Sequence, residues 1–181
     1  MSRIGKKPIK IPEGVKVEIK GDLVIIKGPK GELSRKIRPE VKVEEKEGKL
    51  QVSPKINTKN TKAFWGLTRS LLANDIIGVT RGYEKKLVIE GLGYKAEVQG
   101  KDLVLKVGFT HPVKITPPEG ITFSVDKNVI SVSGINKELV GQMAAKIRKV
   151  KPPEPYKGKG IKYLGEIVKR KPGKRVVTAG P

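Results

Sequence analysis

The chain repeats part of itself. Residues 12–33 read PEGVKVEIKGDLVIIKGPKGEL and residues 118–139 read PEGITFSVDKNVISVSGINKEL, aligned without a gap at an offset of 106. Pro12-Glu13-Gly14 match Pro118-Glu119-Gly120, Gly28 matches Gly134, and Glu32-Leu33 match Glu138-Leu139. Between these anchors Val15/Ile121, Val17/Phe123, Ile19/Val125, Leu23/Val129 and Ile26/Val132 stay apolar. Self-similarity of this kind reads as one supersecondary unit used twice.

Each copy has the pattern of a β-hairpin. Val15, Val17 and Ile19 alternate with Lys16, Glu18 and Lys20, the period of a strand with one buried face. Gly21-Asp22 supplies a two-residue turn, and Lys127-Asn128 the same in the second copy, where Asn128 is expected to take the positive φ. Further strands are expected at Val41–Glu45, Lys49–Ser53, Lys86–Glu90, Tyr94–Gln99 and Leu103–Val107. One helix is expected from Thr61 to Gly78, with Asn60 or Thr58 as cap and Phe64, Leu67, Leu71 and Leu72 on its buried face. A second is expected from Lys137 to Val150, capped by Asn136, with Val140, Met143, Ala144 and Ile147 on one stripe. For Met143, core packing outweighs any cofactor role.

These elements define an α+β chain of two duplicated small domains, each an antiparallel sheet covered on one face by a helix. The expected boundary divides residues 1–81 from 82–181, with a basic C-terminal extension from about residue 151. Neither helix can shield both faces of a sheet, so each domain keeps a face for something else.

Charge then narrows the partner. The chain of 181 residues carries 39 Lys+Arg against 18 Asp+Glu, a net charge of +21. Such self-repulsion calls for a polyanion, most commonly nucleic acid. Residues 1–81 hold 19 basic and 9 acidic groups, residues 82–145 hold 8 and 7, and residues 146–175 hold 12 and 2. The last block has the densest excess. A solvated basic tail is the blander reading, and the Gly/Pro framing of the block weighs against it. There is no cysteine, which removes disulfides, thiolate metal sites and thiol nucleophiles. The opening MSRIGKKPIKI has no apolar core of a secretory signal, and no apolar run approaches the roughly 20 residues of a membrane span. A cytoplasmic home fits.

Catalysis finds little support. His111, the single histidine, precedes Pro112 and reads as a turn residue. Gly91-Leu92-Gly93-Tyr94-Lys95-Ala96 fits G-x-G-x-x-A, but a helix should follow, and Glu97-Val98-Gln99-Gly100 closes in a turn signal instead. Lys157-Gly158-Lys159-Gly160 lacks the glycine spacing and trailing Ser/Thr of a phosphate loop. Glu44, Glu45 and Glu47 interleave with Lys42, Lys46 and Lys49 as a solvated hairpin end. No cofactor, metal or small-molecule substrate is expected, and a nuclease-type enzyme lacks its carboxylate pair.

After the second helix, Pro152, Pro153 and Pro155 are expected to stiffen an extended stretch. Lys157 and Lys159 would then point one way, with Gly158 and Gly160 letting backbone N–H groups approach phosphates. Tyr156 and Tyr163 are stacking candidates, although Tyr163 is equally a core candidate. The run Lys169-Arg170-Lys171-Pro172-Gly173-Lys174-Arg175 should order only on a polyanion. With 4% aromatic residues and no recognition motif, the mode left is reading the shape and phosphates of a folded RNA.

Pro153-Glu154-Pro155-Tyr156-Lys157-Gly158-Lys159-Gly160-Ile161 resembles the signature of the bacterial-type large-subunit ribosomal protein L-six family. So do Ser2-Arg3-Ile4-Gly5-Lys6-Lys7-Pro8-Ile9, Gly91–Ala96 and Gly108-Phe109-Thr110-His111-Pro112-Val113, with Thr110 where serine is more familiar. The resemblance implies a structural, non-enzymatic ribosomal protein. It implies binding of large-subunit rRNA near the stalk base and the sarcin–ricin region, beside neighbouring ribosomal proteins and the docking area of translational GTPases. On that basis the RNA-binding residues are expected to be Tyr156, Lys157, Lys159, Lys162, Lys169, Arg170, Lys171, Lys174 and Arg175, with Arg3, Lys6 and Lys7 as a second group. A chain cut after Val150 is expected to keep both domains. The alternatives are a non-ribosomal binder of structured RNA and a polybasic module for anionic surfaces; the latter needs apolar anchors, for which only Val176 and Val177 stand near.

Overall fold

The computed structural model describes residues 3–56 and 58–173. Their elements are, in order, β1 (Ile9–Lys10), β2 (Lys16–Lys20), β3 (Leu23–Gly28), β4 (Gly31–Lys36), β5 (Val41–Lys46), β6 (Lys49–Pro54), α1 (Thr61–Thr80), β7 (Tyr83–Glu90), β8 (Lys95–Gln99), β9 (Asp102–Lys106), β10 (Val113–Ile115), β11 (Ile121–Asp126), β12 (Val129–Gly134), α2 (Lys137–Val150) and β13 (Gly160–Tyr163). The chain divides into two compact units, Met1–Tyr83 with Gly134–Lys137, and Glu84–Ser133 with Glu138–Pro181.

The α+β class holds, with two sheets in each unit rather than one. In the first unit the strand orders are β1-β6-β5 and β2-β3-β4; in the second they are β11-β12-β7-β13 and β10-β9-β8. The orders correspond. β1, β6 and β5 match β7, β12 and β11, and β2, β3 and β4 match β8, β9 and β10. The duplication is therefore real, but its register is not the 106-residue offset. β2 at residue 16 corresponds to β8 at 95, and β6 at 49 to β12 at 129, shifts of 79 and 80. Local backbone agrees. Glu47 and Lys127, the two non-glycine residues of positive φ among those described, lie 80 apart with φ of 52° and 53°. Ile11 N–H donates to Gly48 O and Ile89 N–H to Asn128 O, each 78 or 80 further on, at 3.1 and 2.9 Å. The 106-residue match compares hairpins in different sheets. They share an entry and a turn length, not a place in the fold. The turn expectation shifts with it, since Lys127 rather than Asn128 takes the positive φ.

The first core forms where alternation turns Ile9, Val24, Ile26, Val41, Val43, Leu50 and Val52 inward against Leu72, Ile76 and Val79 of α1. Each fully buried Leu or Ile contributes about 1.5–3 kcal/mol. The helix lies against β3 and β4 of one sheet and β5 and β6 of the other. Its buried face is only partly the expected one: Leu72 is buried and Phe64 packs against the core, but Leu67 is 50% exposed, and Thr68, Asp75, Ile76 and Val79 are buried instead. Asp75 is accepted there because Arg35 of β4 grips it with two hydrogen bonds, of 2.5 and 2.9 Å. Asn60 makes no side-chain cap bond. Instead the buried Thr61 hydroxyl donates to Ile56 O (2.8 Å) and accepts from Thr58 N–H (2.9 Å). At the other end α1 runs through Gly78 to Thr80, where the Lys30 ammonium donates to Arg81 O, a cation placed at the negative end of the dipole.

In the second unit α2 spans the expected residues and buries Val140, Met143, Ala144 and Ile147. Gly91-Leu92-Gly93 joins two strands, with no helix after it, so the dinucleotide reading fails. A Cβ at Gly91 would meet the Tyr94 ring at 2.5 Å, which accounts for that glycine. Among the described residues β13 has no counterpart in the first unit. It pairs antiparallel with β7, Ile161 opposite Ile89 and Lys162 opposite Val88, and buries Ile161 completely.

Candidate nucleic-acid interface

β13 makes the start of the C-terminal segment part of the fold. Before it, residues 151–161 close into a loop, not the extended stretch expected. Glu154 N–H donates to Lys159 O (2.8 Å), Gly158 N–H to Glu154 O (2.9 Å) and Ile161 N–H to Lys151 O (2.8 Å). Gly158 N–H is thus spent within the loop and does not face a phosphate. The glycines serve close packing: a Cβ on Gly160, at φ +143°, would sit 2.6 Å from Pro152 O, and one on Gly158 would sit 3.2 Å from the Arg170 guanidinium.

After β13 the chain folds back, and Lys171 N–H donates to Pro155 O at 2.8 Å. This bond and the Gly158–Arg170 approach bring the loop's Tyr156, Lys157 and Lys159 beside Lys169, Arg170 and Lys171. Tyr156 is 55% exposed; Lys157, Lys169, Arg170 and Lys171 are exposed and Lys159 half-buried. None of these five cations has an ion pair with a carboxylate among the described residues. Lys162 differs. Its ammonium lies 2.6 Å from a Glu90 oxygen and its side chain is 22% exposed, so most of its charge is already answered. Lys174 and Arg175 lie outside the described residues, as do Val176 and Val177.

Arg148 of α2, which the sequence did not single out, locks the fold-back. Its guanidinium holds Glu166 with bonds of 3.2 and 2.6 Å and lies 5.6 Å from the centre of the Tyr163 ring. Tyr163 N–H also donates to Glu166 at 2.9 Å. These bonds hold the Glu166 carboxyl below its ordinary range, Arg148 contributing most. Tyr163 is therefore a packing residue. A cleft of 340 Å³ lies here, between Glu90, Glu166 and Arg170. Both of its carboxylates are bound to cations, which leaves no free pair for acid–base work. Among the described residues no three His, Cys, Asp or Glu side chains group as metal ligands, and no helix is long and apolar enough to cross a membrane.

Arg3, Lys6 and Lys7 belong to the first unit and are exposed. Their segment is fixed by α1. Arg69 donates to Lys7 O (3.1 Å) and Pro8 O (3.5 Å), and Gly5 lies so close to Trp65 that a Cβ would meet the ring at 2.7 Å.

Comparison with known proteins gives the family. The model of the family described as Ribosomal protein L6 matches residues 11–82 and again 90–164. The chain belongs to the ribosomal protein L6 family. The two matched segments follow the 79–80-residue repeat of the fold. Similar relatives, each named large ribosomal subunit protein uL6, come from Acaryochloris marina (55% identical, covering 96% of this chain and 98% of the relative) and Trichodesmium erythraeum (54%, 96% and 98%). One from Caulobacter vibrioides is 50% identical over 97% of this chain and 99% of its own length. Proteins of the L6 family are structural ribosomal proteins and not enzymes.

Proposed function

We propose that the chain is a structural constituent of the large ribosomal subunit in the cytoplasm. In this reading it binds large-subunit rRNA near the stalk base and the sarcin–ricin region, beside neighbouring ribosomal proteins and the docking area of translational GTPases. The observation that carries the RNA contact is the fold-back. A loop and an extension, tied by Lys171 N–H to Pro155 O, present Tyr156, Lys157, Lys159, Lys169, Arg170 and Lys171 together, without internal carboxylate partners. Lys174 and Arg175 extend the same run. Arg3, Lys6 and Lys7 form the second group, and Lys162 contributes least because Glu90 holds it. Their work is neutralising phosphates and fixing the register, with no covalent chemistry. The two repeats, 1–81 and 82–181, serve as scaffolds for these cations.

The test is filter binding of the full chain to in-vitro-transcribed large-subunit rRNA across a salt series. Each phosphate left without its cation should lower the slope of log affinity against log salt by about 0.7–0.9. Replacing Lys157, Lys159, Lys169 and Lys171 by Gln should lower it by roughly 3. An unchanged slope would move the interface elsewhere. Hydroxyl-radical footprinting of subunits with and without the protein tests the location. Protection confined to regions away from the sarcin–ricin loop would contradict it.

One observation favours a second reading, an anionic-surface module. Leu164 and Ile167 are 58% and 92% exposed beside the cations, apolar anchors such a module needs. Binding to phosphatidylserine vesicles as tight as to rRNA would support it.

A further inference from the structure

The sheet β1-β6-β5 sets Lys10 opposite Lys49 and Lys49 opposite Lys46. Three lysines thus form one row across three strands. Ile9, Leu50, Val43 and Val52 face the core, so strand alternation turns this row to solvent, together with Lys42, Glu44, Gln51 and Ser53. Glu44 answers Lys42 at 2.5 Å and Lys46 at 3.0 Å. Lys10 and Lys49 are exposed and meet no carboxylate in an ion pair among the described residues. Like charges placed directly opposite cost roughly 0.2–1 kcal/mol per pair.

The second unit supplies an internal control. Matching the Ile11–Gly48 hydrogen bond to the Ile89–Asn128 one puts Val88 at the position of Lys10, and eighty residues on from Lys46 and Lys49 stand Asp126 and Val129. The strands and the turn geometry are the same, with φ of 52° at Glu47 and 53° at Lys127. The fold therefore does not require lysines there. The second unit places two valines and one carboxylate at the three positions, and no lysine.

We propose that the solvent face of the β1-β6-β5 sheet is a second RNA-binding surface, where Lys10, Lys49 and Lys46 take successive phosphates of a folded RNA strand. With strands about 4.8 Å apart, the row is ~10 Å long, against ~7 Å of axial length from the first to the third phosphate on one strand, a difference the flexible lysine stems take up. Gln51 and Ser53, on the same face, add donors and acceptors for sugar hydroxyls and phosphate oxygens. The proposal rests on the reading that the partner is rRNA, and adds a contact distinct from the C-terminal one.

The experiment compares Lys10→Gln/Lys49→Gln with Lys85→Gln/Lys101→Gln, exposed lysines of the second unit, in filter binding of the full chain to in-vitro-transcribed large-subunit rRNA. The first pair should lower the salt slope by roughly 1.5, leave the melting temperature unchanged or raise it at low salt, and the second pair should lower the slope by less than half as much. Equal losses from both pairs, or no loss from the first, would overturn the proposal. So would normal binding to naked rRNA with impaired uptake into subunits, which would assign the face to a protein. Failure of the unaltered chain to bind rRNA is a separate result, and sinks the functional reading itself.

Discussion

Gly160 tests whether the cationic loop is held by the fold or merely follows it. Its φ of +143° is one that L side chains rarely adopt, and an added Cβ would lie 2.6 Å from Pro152 O, 2.8 Å from Pro152 C and 2.8 Å from Pro153 Cα. All three are backbone atoms, so no rotamer change relieves the clash. The backbone strain alone costs about 1–3 kcal/mol, and displacing the loop adds to it. Gly165 separates the two costs, because its φ is +83° and nothing lies within 4 Å of its Cβ position. Gly165→Ala should cost ~1 kcal/mol. Gly160→Ala should cost ~3–4 kcal/mol, from strain together with loss of the loop closure and part of the β13 pairing. For a chain of this size each kcal/mol moves the melting temperature by about 2–4 °C. Thermal unfolding followed by circular dichroism should therefore place Gly160→Ala at least roughly 5 °C below Gly165→Ala, with rRNA affinity falling in parallel. Equal melting temperatures would show that the loop yields freely, and the argument that its packing positions the cations would fail.

Other perturbations reach other links. Leu72→Ala, at a fully buried site, should destabilise by about 2–5 kcal/mol, while Leu67→Ala, half exposed, should stay within about 0.5 kcal/mol in urea unfolding. Glu166 has a folded pKa below its unfolded value of 4.5. Its contribution is therefore present above pH 4.5 and lost as pH falls through the folded pKa. Glu166→Gln should flatten that part of the acid-unfolding profile; a profile as steep as the unaltered chain's would remove Glu166 from the fold-back. A chain ending at Val150 should lose stability, since it lacks β13 and the buried Ile161, whereas one ending at Val168 should melt normally and bind rRNA with a shallower salt slope.

What the sequence showed of the fold follows from how strictly each segment was constrained. The β2–β3, β5–β6 and β8–β9 hairpins were legible because strict alternation and two-residue turns leave few solutions. α2 was legible because its stripe matches its burial. β4 (GELSRK) and β13 (GIKY) were not, because they are strands through pairing with β3 and β7 more than through apolar periodicity of their own. Leu67 misled, and Asp75 escaped, because periodicity ranks residues by type. Only the fold shows that Arg35 of a distant strand makes a buried carboxylate tolerable. For the proposed interface, composition singled out the segment. Hydrogen bonds fixed its shape, and nothing in the sequence before β13 told that Gly158 N–H faces inward.

The repeat register bears on function as well as fold. At an offset of 106 the lysine row has no counterpart, and Lys42, Lys46 and Lys49 among their glutamates read as an ordinary solvated tip. At 78 to 80, the same positions in the second unit are acidic or neutral, and the comparison separates what a strand requires from what a partner requires. The ion pairs draw a similar line. Lys86, Lys114, Arg148 and Lys162 of the second unit are each held by one of its own carboxylates. Other exposed cations, Lys85 and Lys101 among them, also lack such a partner among the described residues, but in the fold-back and at Lys10 and Lys49 of the first unit they stand next to one another. An exposed ion pair contributes only ~0–1 kcal/mol, so the pairs matter less for stability than for which charges they leave over. A polyanion gains most where binding it breaks no existing pair, and adjacent unpaired cations mark those places better than the net charge does.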